Sequence, residues 1–184
     1  MPDTSAAPAD PILLTPGPLT TSAAVKAAMC HDAGSRDPGF IALNERVRER
    51  LVRIAGADEG YRCVPLQGSG TFAVEAMLGS LLPADGHLLN LVNGAYGRRI
   101  GSICDYLGRR VTTLAFEETG PVDPAAVAAA LAADRGITHV ALVHCETTTG
   151  VLNPLPAIAA AVQAAGRVML VDAMSSFGAL EIAA

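Results

Sequence analysis

From residue 63 onward the sequence repeats one unit: a short apolar run, a turn of small or polar residues, and a segment with helical period. The apolar runs span 63–67, 87–92, 110–116, 139–144 and 168–171, and the helical segments 70–82, 96–107, 124–133 and 155–165. Runs of four to seven residues are too short to be independent helices and have the length of strands. Strands alternating with helices in this way predict an α/β fold, a mostly parallel sheet with helices on both faces. Local signals agree. Asp123-Pro124 pairs a capping side chain with a proline in the first helical position, and Gly166 fits the left-handed residue just past a helix end. Ile100, Ile103 and Leu107 fall on one side of the second helical segment. In such folds ligands bind beyond the carboxyl ends of the strands, so the turns that follow each apolar run are where function is expected.

The first sixty residues read differently. Residues 1–11 carry neither a basic start nor a long apolar stretch, and are expected to be a disordered leader, not a signal peptide. Residues 12–60 are expected to form an N-terminal arm and helices. Ile12 to Thr21 is an extended run with rigid turns at Pro16 and Pro18, and Ser22 caps a helix over 23–29. A polar loop over 31–40 follows, and then an amphipathic helix whose stripe is Leu43, Val47, Leu51 and Ile54. Residues 61–184 make the repeated α/β unit. A net charge of −5 excludes a nucleic-acid partner of the usual basic kind. No apolar run approaches membrane-spanning length. Four cysteines without a close pair (Cys30, Cys63, Cys104 and Cys145) are expected to be buried free thiols, in the cytoplasm.

Four turns carry chemistry. Gln67-Gly68-Ser69-Gly70-Thr71 joins an apolar run to a helix. Its glycines admit a close backbone approach, its hydroxyls donate, and the helix start offers unpaired N–H groups, which together make an anion site suited to phosphate. An ordinary strand-to-helix turn has the same residues. Gly68-x-Gly70-x-x-Ala73 formally matches a dinucleotide fingerprint, but the next strand ends in Val92-Asn93-Gly94 with no carboxylate for a ribose. No Gly-Lys-Ser/Thr follows, which excludes a P-loop. Tyr96, after the next run, offers a flat ring to a bound heterocycle. His144-Cys145-Glu146-Thr147-Thr148-Thr149-Gly150 places hydroxyls after a third run. Adjacent residues on an extended chain point to alternate sides, and no second cluster accompanies them, so no metal is expected. Asp172 closes the last run, either capping the next turn or meeting a cation such as a protonated pyridine nitrogen. A phosphate cup, a ring, a hydroxyl and a carboxylate at four carboxyl-end turns fit pyridoxal 5′-phosphate, whose electron sink needs a pyridinium held by aspartate.

Taken in order, Leu14 to Thr20, Gln67 to Thr71, Asn93 to Gly97, His144 to Gly150 and Val171 to Gly178 make the chain resemble the class V, fold-type I aminotransferases. The resemblance implies that Ser69, Gly70 and Thr71 hold the cofactor phosphate, Tyr96 stacks on the ring and Thr147 bonds its phenolic oxygen. It implies Asp172 on the ring nitrogen, Met174 on the opposite ring face and Gly17 near the substrate entrance. Arg36 is a candidate for gripping a substrate anion, against the general tendency of a loop arginine to be solvated. Within the family the match points to members that move the amino group of 2-aminoethylphosphonate to pyruvate, as homodimers. Alanine– or serine–glyoxylate aminotransferases, and a non-catalytic pyridoxal-phosphate or phosphate-binding module, are the alternatives. The family's Schiff-base lysine follows the aspartate strand by about one β-α step. Lys26, the single lysine, lies on the early helix outside any matching motif. The expectation is an N-terminal portion, inactive alone, whose lysine and C-terminal small domain fall beyond Ala184.

Overall fold

The computed structural model describes residues 10–15, 17–57 and 60–182; most of the expected leader, and Pro16, lie outside them. The helices are α1 (Ala23–Ala28), α2 (Pro38–Ile54), α3 (Gly70–Leu81), α4 (Ala95–Tyr106), α5 (Pro124–Ala133) and α6 (Leu155–Ala164). The strands are β1 (His87–Val92), β2 (Arg110–Ala115), β3 (His139–Val143), β4 (Cys145–Glu146), β5 (Val151–Leu152) and β6 (Val168–Asp172). Four of them form one parallel sheet in the order β2-β1-β3-β6, and β4 and β5 pair antiparallel as a short hairpin.

Every residue of β1 and β3 is buried, because each strand has a neighbour on both edges and helices on both faces. The period of two divides their side chains between two cores. Leu89, Leu91, Val140 and Leu142 face Val127 and Leu131 of α5 and Ile158 and Val162 of α6. Leu88, Ala141 and Val143 face Leu78 of α3 and Ile100, Ile103 and Cys104 of α4. Each fully buried leucine or isoleucine contributes on the order of 2 kcal/mol, so these two layers dominate the fold's stability. On the outer strand β2 only Val111 and Leu114 are half-buried, and the other four residues are exposed.

The winding order positions the site. From β1 the chain passes through α4 to β2 on one side, then returns through α5 to β3 on the other side of β1. The connections after β1 and β3 therefore diverge and leave a crevice at their carboxyl ends.

Several expectations change. Residues 63–67 form no strand, and none precedes β1 among the described residues; the segment runs unpaired into α3. An apolar run becomes a strand only with a ladder partner, and the sheet edges here are β2 and β6. The α2 stripe has helical spacing, but no residue of that helix is buried, and Leu43, Val47 and Ile54 are each more than two-fifths exposed. Of the four free cysteines only Cys104 is buried; Cys63 and Cys145 are half-buried and Cys30 is exposed. Burial pushes the Cys104 thiol up to about 11. The β4–β5 hairpin was not anticipated, because two-residue strands leave no periodicity to read.

A buried polar knot joins the loops at the crevice. The Asn93 amide donates to Asn153 Oδ1 (2.9 Å) and the Asn153 amide donates back to Asn93 Oδ1 (3.2 Å). Asn153 also donates to the Val143 carbonyl (2.8 Å) and accepts from the Val122 N–H (2.9 Å). Asn153→Ala strands these buried partners, and leaving such groups unpaired costs about 1–3 kcal/mol each. Urea unfolding should show a loss of about 3 kcal/mol for this variant; a loss inside measurement error would contradict the knot's importance.

Three histidines, His87, His139 and His144, are buried. Burial holds each imidazole's pKa below 6.5; at His87 the Arg110 charge adds to this and Asp134 opposes it, and at His139 a backbone hydrogen bond at Leu81 opposes it. These are bases depressed by folding, so the unfolded chain binds protons that the folded chain refuses. Their contribution is fully present above about pH 6.5 and is lost as the pH falls from there through the depressed folded values. The urea midpoint should therefore fall between pH 7.5 and 5.5; a constant midpoint would contradict this.

Candidate functional site

Beyond the carboxyl ends of β1, β3 and β6 lies a cavity of about 300 Å³. Its first wall is the start of α3. Ser69 is the N-cap, and its Oγ accepts from the Phe72 N–H at 3.3 Å. The other amides of the first turn have no intrahelical acceptor and offer donors to an anion. Gly68 has a φ of +146°, and a Cβ on it would press into the Phe72 side chain, so both conformation and space favour glycine there. Gly70 faces Met174: a Cβ on it would meet the tip of that side chain, which reaches across from the loop after β6 and would have to swing aside. Ser69, Gly70, Thr71 and Met174 all line the cavity.

The second wall comes from α4. Tyr96 lines the cavity, and the Arg99 guanidinium lies 4.9 Å from its ring centroid. Arg99 Nη1 also donates to Thr71 Oγ1 at 3.1 Å, linking α4 to α3 beside the anion cup. Helical spacing puts residues three apart on one face, so Arg99 was legible once Tyr96 had been chosen, yet it was not singled out.

The third wall follows β3. Cys145 and Thr147 line the cavity, while Glu146 between them is fully buried on the opposite side, as alternation along an extended chain requires. Its carboxylate caps α4 from fifty residues away. Oε2 accepts from the Tyr96 N–H and the Gly97 N–H, both at 3.2 Å, and Oε1 accepts from the Thr148 hydroxyl at 2.7 Å. Thr148 Oγ1 in turn accepts from the Ala95 N–H at 3.4 Å. A Cβ on Gly94, the N-cap residue, would overlap the Glu146 side chain. His144, next to β3, is likewise spoken for. Its Nδ1 meets the buried Ser176 Oγ at 2.9 Å, and burial keeps its ring neutral near pH 7. Ser176 donates to the Ala173 carbonyl, which leaves the proton of the His144–Ser176 bond on Nδ1.

The last wall is the turn after β6. Asp172 lines the cavity and its Oδ1 accepts from the Met174 N–H at 3.0 Å, which fixes the turn. Ser175 Oγ and Thr147 Oγ1 are 2.5 Å apart, so the third and fourth walls are hydrogen-bonded face to face. Gly17 reaches the cavity from the N-terminal arm.

Of the residues expected at a site, Gly17, Ser69, Gly70, Thr71, Tyr96, Thr147, Asp172 and Met174 share this one cavity. Arg36 sits in the exposed turn before α2 and is not among the lining residues. Lys26 does not line it either; its Nζ pairs with Asp10. Among the described residues no helix is long and apolar enough to cross a membrane.

The sequence model of the family described as Aminotransferase class-V matches residues 19–183. Among curated proteins the chain is similar to 2-aminoethylphosphonate–pyruvate transaminase 2 of Burkholderia lata, 59% identical over 174 residues that make up 95% of this chain and 46% of that protein. It is also similar to 2-aminoethylphosphonate–pyruvate transaminase of Pseudomonas aeruginosa, 56% identical over 172 residues, 94% of this chain and 46% of that one. Among solved structures, pyridoxamine–pyruvate aminotransferase from Mesorhizobium loti superposes with a TM-score of 0.83 at 32% identity, over 92% of this chain and 43% of that one. Alanine–glyoxylate aminotransferase from a Nostoc species superposes with a TM-score of 0.86 at 28% identity, over 94% and 45%. The chain spans about half the length of the curated relatives it matches. With the family's match running over residues 19–183 and its fold shared by these structures, the chain belongs to the class V aminotransferases.

Proposed function

We propose that the chain contributes the cofactor cup of a pyridoxal 5′-phosphate-dependent transaminase that moves the amino group of 2-aminoethylphosphonate to pyruvate, giving phosphonoacetaldehyde and L-alanine. The observation that carries this is the convergence of a helix-start anion cup and an aspartate carboxylate on one cavity. The residues fit the cofactor by their chemistry. Gly70 leaves no side chain over the α3 amides, Tyr96 presents a ring, and the half-buried Asp172 supplies the negative charge a pyridinium needs. When bound, the cofactor supplies the electron-accepting ring.

The chain's own groups then divide the work. Ser69, Gly70 and Thr71 hold the phosphate through backbone and hydroxyl donors, aided by the α3 dipole. Tyr96 and Met174 take the two faces of the ring. The Thr147 hydroxyl, oriented by Ser175, donates to the phenolic oxygen. Asp172 keeps the ring nitrogen protonated, and Gly17 borders the substrate entrance. In this reading residues 61–184 are part of the cofactor-binding large domain and residues 12–60 are the arm before it. The 59% and 56% identities to named 2-aminoethylphosphonate–pyruvate transaminases support the donor and acceptor. A cytoplasmic homodimer is supported by four free thiols and by the exposed apolar residues of α1 and α2, among them Val25 and Ile41.

Full-length protein expressed from the complete reading frame should form alanine from 2-aminoethylphosphonate and pyruvate, and much less glycine when glyoxylate replaces pyruvate. Glycine as the main product would favour the glyoxylate aminotransferases instead. The same protein binding the cofactor without any turnover would make it a non-catalytic module. Asp172→Ala should lower turnover by at least a hundredfold, in line with the roughly 3 kcal/mol of a lost charged hydrogen-bond partner.

A further inference from the structure

We propose, building on the cofactor reading above, that Glu146 is a positioning residue that sets the spacing between the two ring-holding walls of the cavity. The Glu146 carboxylate makes its hydrogen bonds to backbone N–H groups and the Thr148 hydroxyl, not to a lining side chain. It ends where α4 begins, and it accepts from the N–H of Tyr96, the residue whose ring lines the cavity. Its own backbone leads directly into Thr147, which lines the facing wall. A single buried side chain thereby fixes Tyr96 relative to Thr147 across the place where a flat ring would lie.

The chemistry of the site selects a carboxylate. Oε2 faces two backbone donors, Tyr96 and Gly97. Oε1 faces the Thr148 hydroxyl and, at 3.4 Å, the N–H groups of Tyr96 and Thr148. Backbone N–H groups, which can only donate, face both oxygens, so a group with acceptors at both ends satisfies them best. Glutamine is isosteric but must turn its NH2 toward one set of these N–H groups; the Thr148 hydroxyl can turn to accept, but the α4 amides or the Thr148 N–H cannot, and one of them loses its acceptor. The negative charge also lies at the positive end of the α4 dipole. Gly94 records the same constraint from the other side, since any Cβ there would displace this side chain.

Glu146 makes no hydrogen bond to the cup at α3, whose tie to α4 is the Arg99–Thr71 bond farther along that helix, so the two parts of the site respond to different ligands. Inorganic phosphate needs only the cup, whereas pyridoxamine 5′-phosphate needs the cup and both ring walls. Titration calorimetry of the chain with each ligand, alongside far-ultraviolet circular dichroism to establish folding, reads this difference. Glu146→Gln should weaken pyridoxamine 5′-phosphate at least tenfold and inorganic phosphate less than threefold. At saturation the induced circular dichroism of the bound ring should shrink, a signal that a loss of stability alone leaves unchanged. Thr148→Val, a milder change that removes only the hydroxyl on Oε1, should move the ratio the same way by a smaller factor, and it decides the matter if Glu146→Gln does not fold. Equal effects on both ligands, or an unchanged ratio in whichever variant folds, would overturn the role of Glu146 while leaving the cofactor reading intact. A wild-type chain that binds pyridoxamine 5′-phosphate no more tightly than phosphate would overturn the cofactor reading and this role with it.

Discussion

Strands β1 and β3 are buried on both faces and both edges, and the arrangement of the site follows from that constraint. Little that is polar along their length can reach water, so what is polar there looks for a local partner: Asn90, within β1, donates to the Gly97 carbonyl of α4 at 2.9 Å, while its Oδ1 and His87 Nδ1 stay buried without a hydrogen bond. Past the carboxyl ends the chain emerges into the crevice made by the reversal of winding. The polar residues there satisfy one another first. Asn93 pairs with Asn153, Glu146 caps α4, and His144 pairs with Ser176. A polar group left unpaired in this interior costs more than a paired one returns, which makes such networks rigid.

That rigidity separates two sets of residues that are neighbours in sequence. Glu146 and Thr147 are adjacent, as are Ser175 and Ser176, yet one of each pair is buried in the scaffold and the other faces the cavity. The inward residues hold the loops, and the outward ones are left with free chemistry. A flat, charged cofactor demands walls fixed to within a fraction of an ångström, and loops alone supply that poorly. Here the loops are tied to α4 and to each other by buried hydrogen bonds.

Much of the fold was legible because strand and helix periods differ. The runs 87–92, 110–116 and 139–144 each became a strand within one residue of the expected bounds, and Asp123 capped α5 as its motif implied. The run 63–67 misled because apolar content says nothing about whether a ladder partner exists. The α2 stripe likewise revealed its helix but not what it packs on. At the site, the lining residues were legible from chemistry-bearing turns and from family motifs that kept their order. The supporting residues were not. Glu146 was given no role, because its real partners are backbone amides fifty residues earlier, and a backbone amide leaves no trace in the sequence. Asn153 lay in an unremarked turn for the same reason: three of its four bonds go to distant chain.

The central claim is that Asp172 faces the ring nitrogen of a pyridoxal-type cofactor in this cavity. The nitrogen-15 chemical shift of ring-labelled pyridoxamine 5′-phosphate bound to the protein measures it most directly. A carboxylate in that place should keep the nitrogen protonated at pH values where it is deprotonated in free solution, and Asp172→Ala should abolish the difference. A bound nitrogen that titrates as it does in water, with Asp172 intact, would contradict the claim.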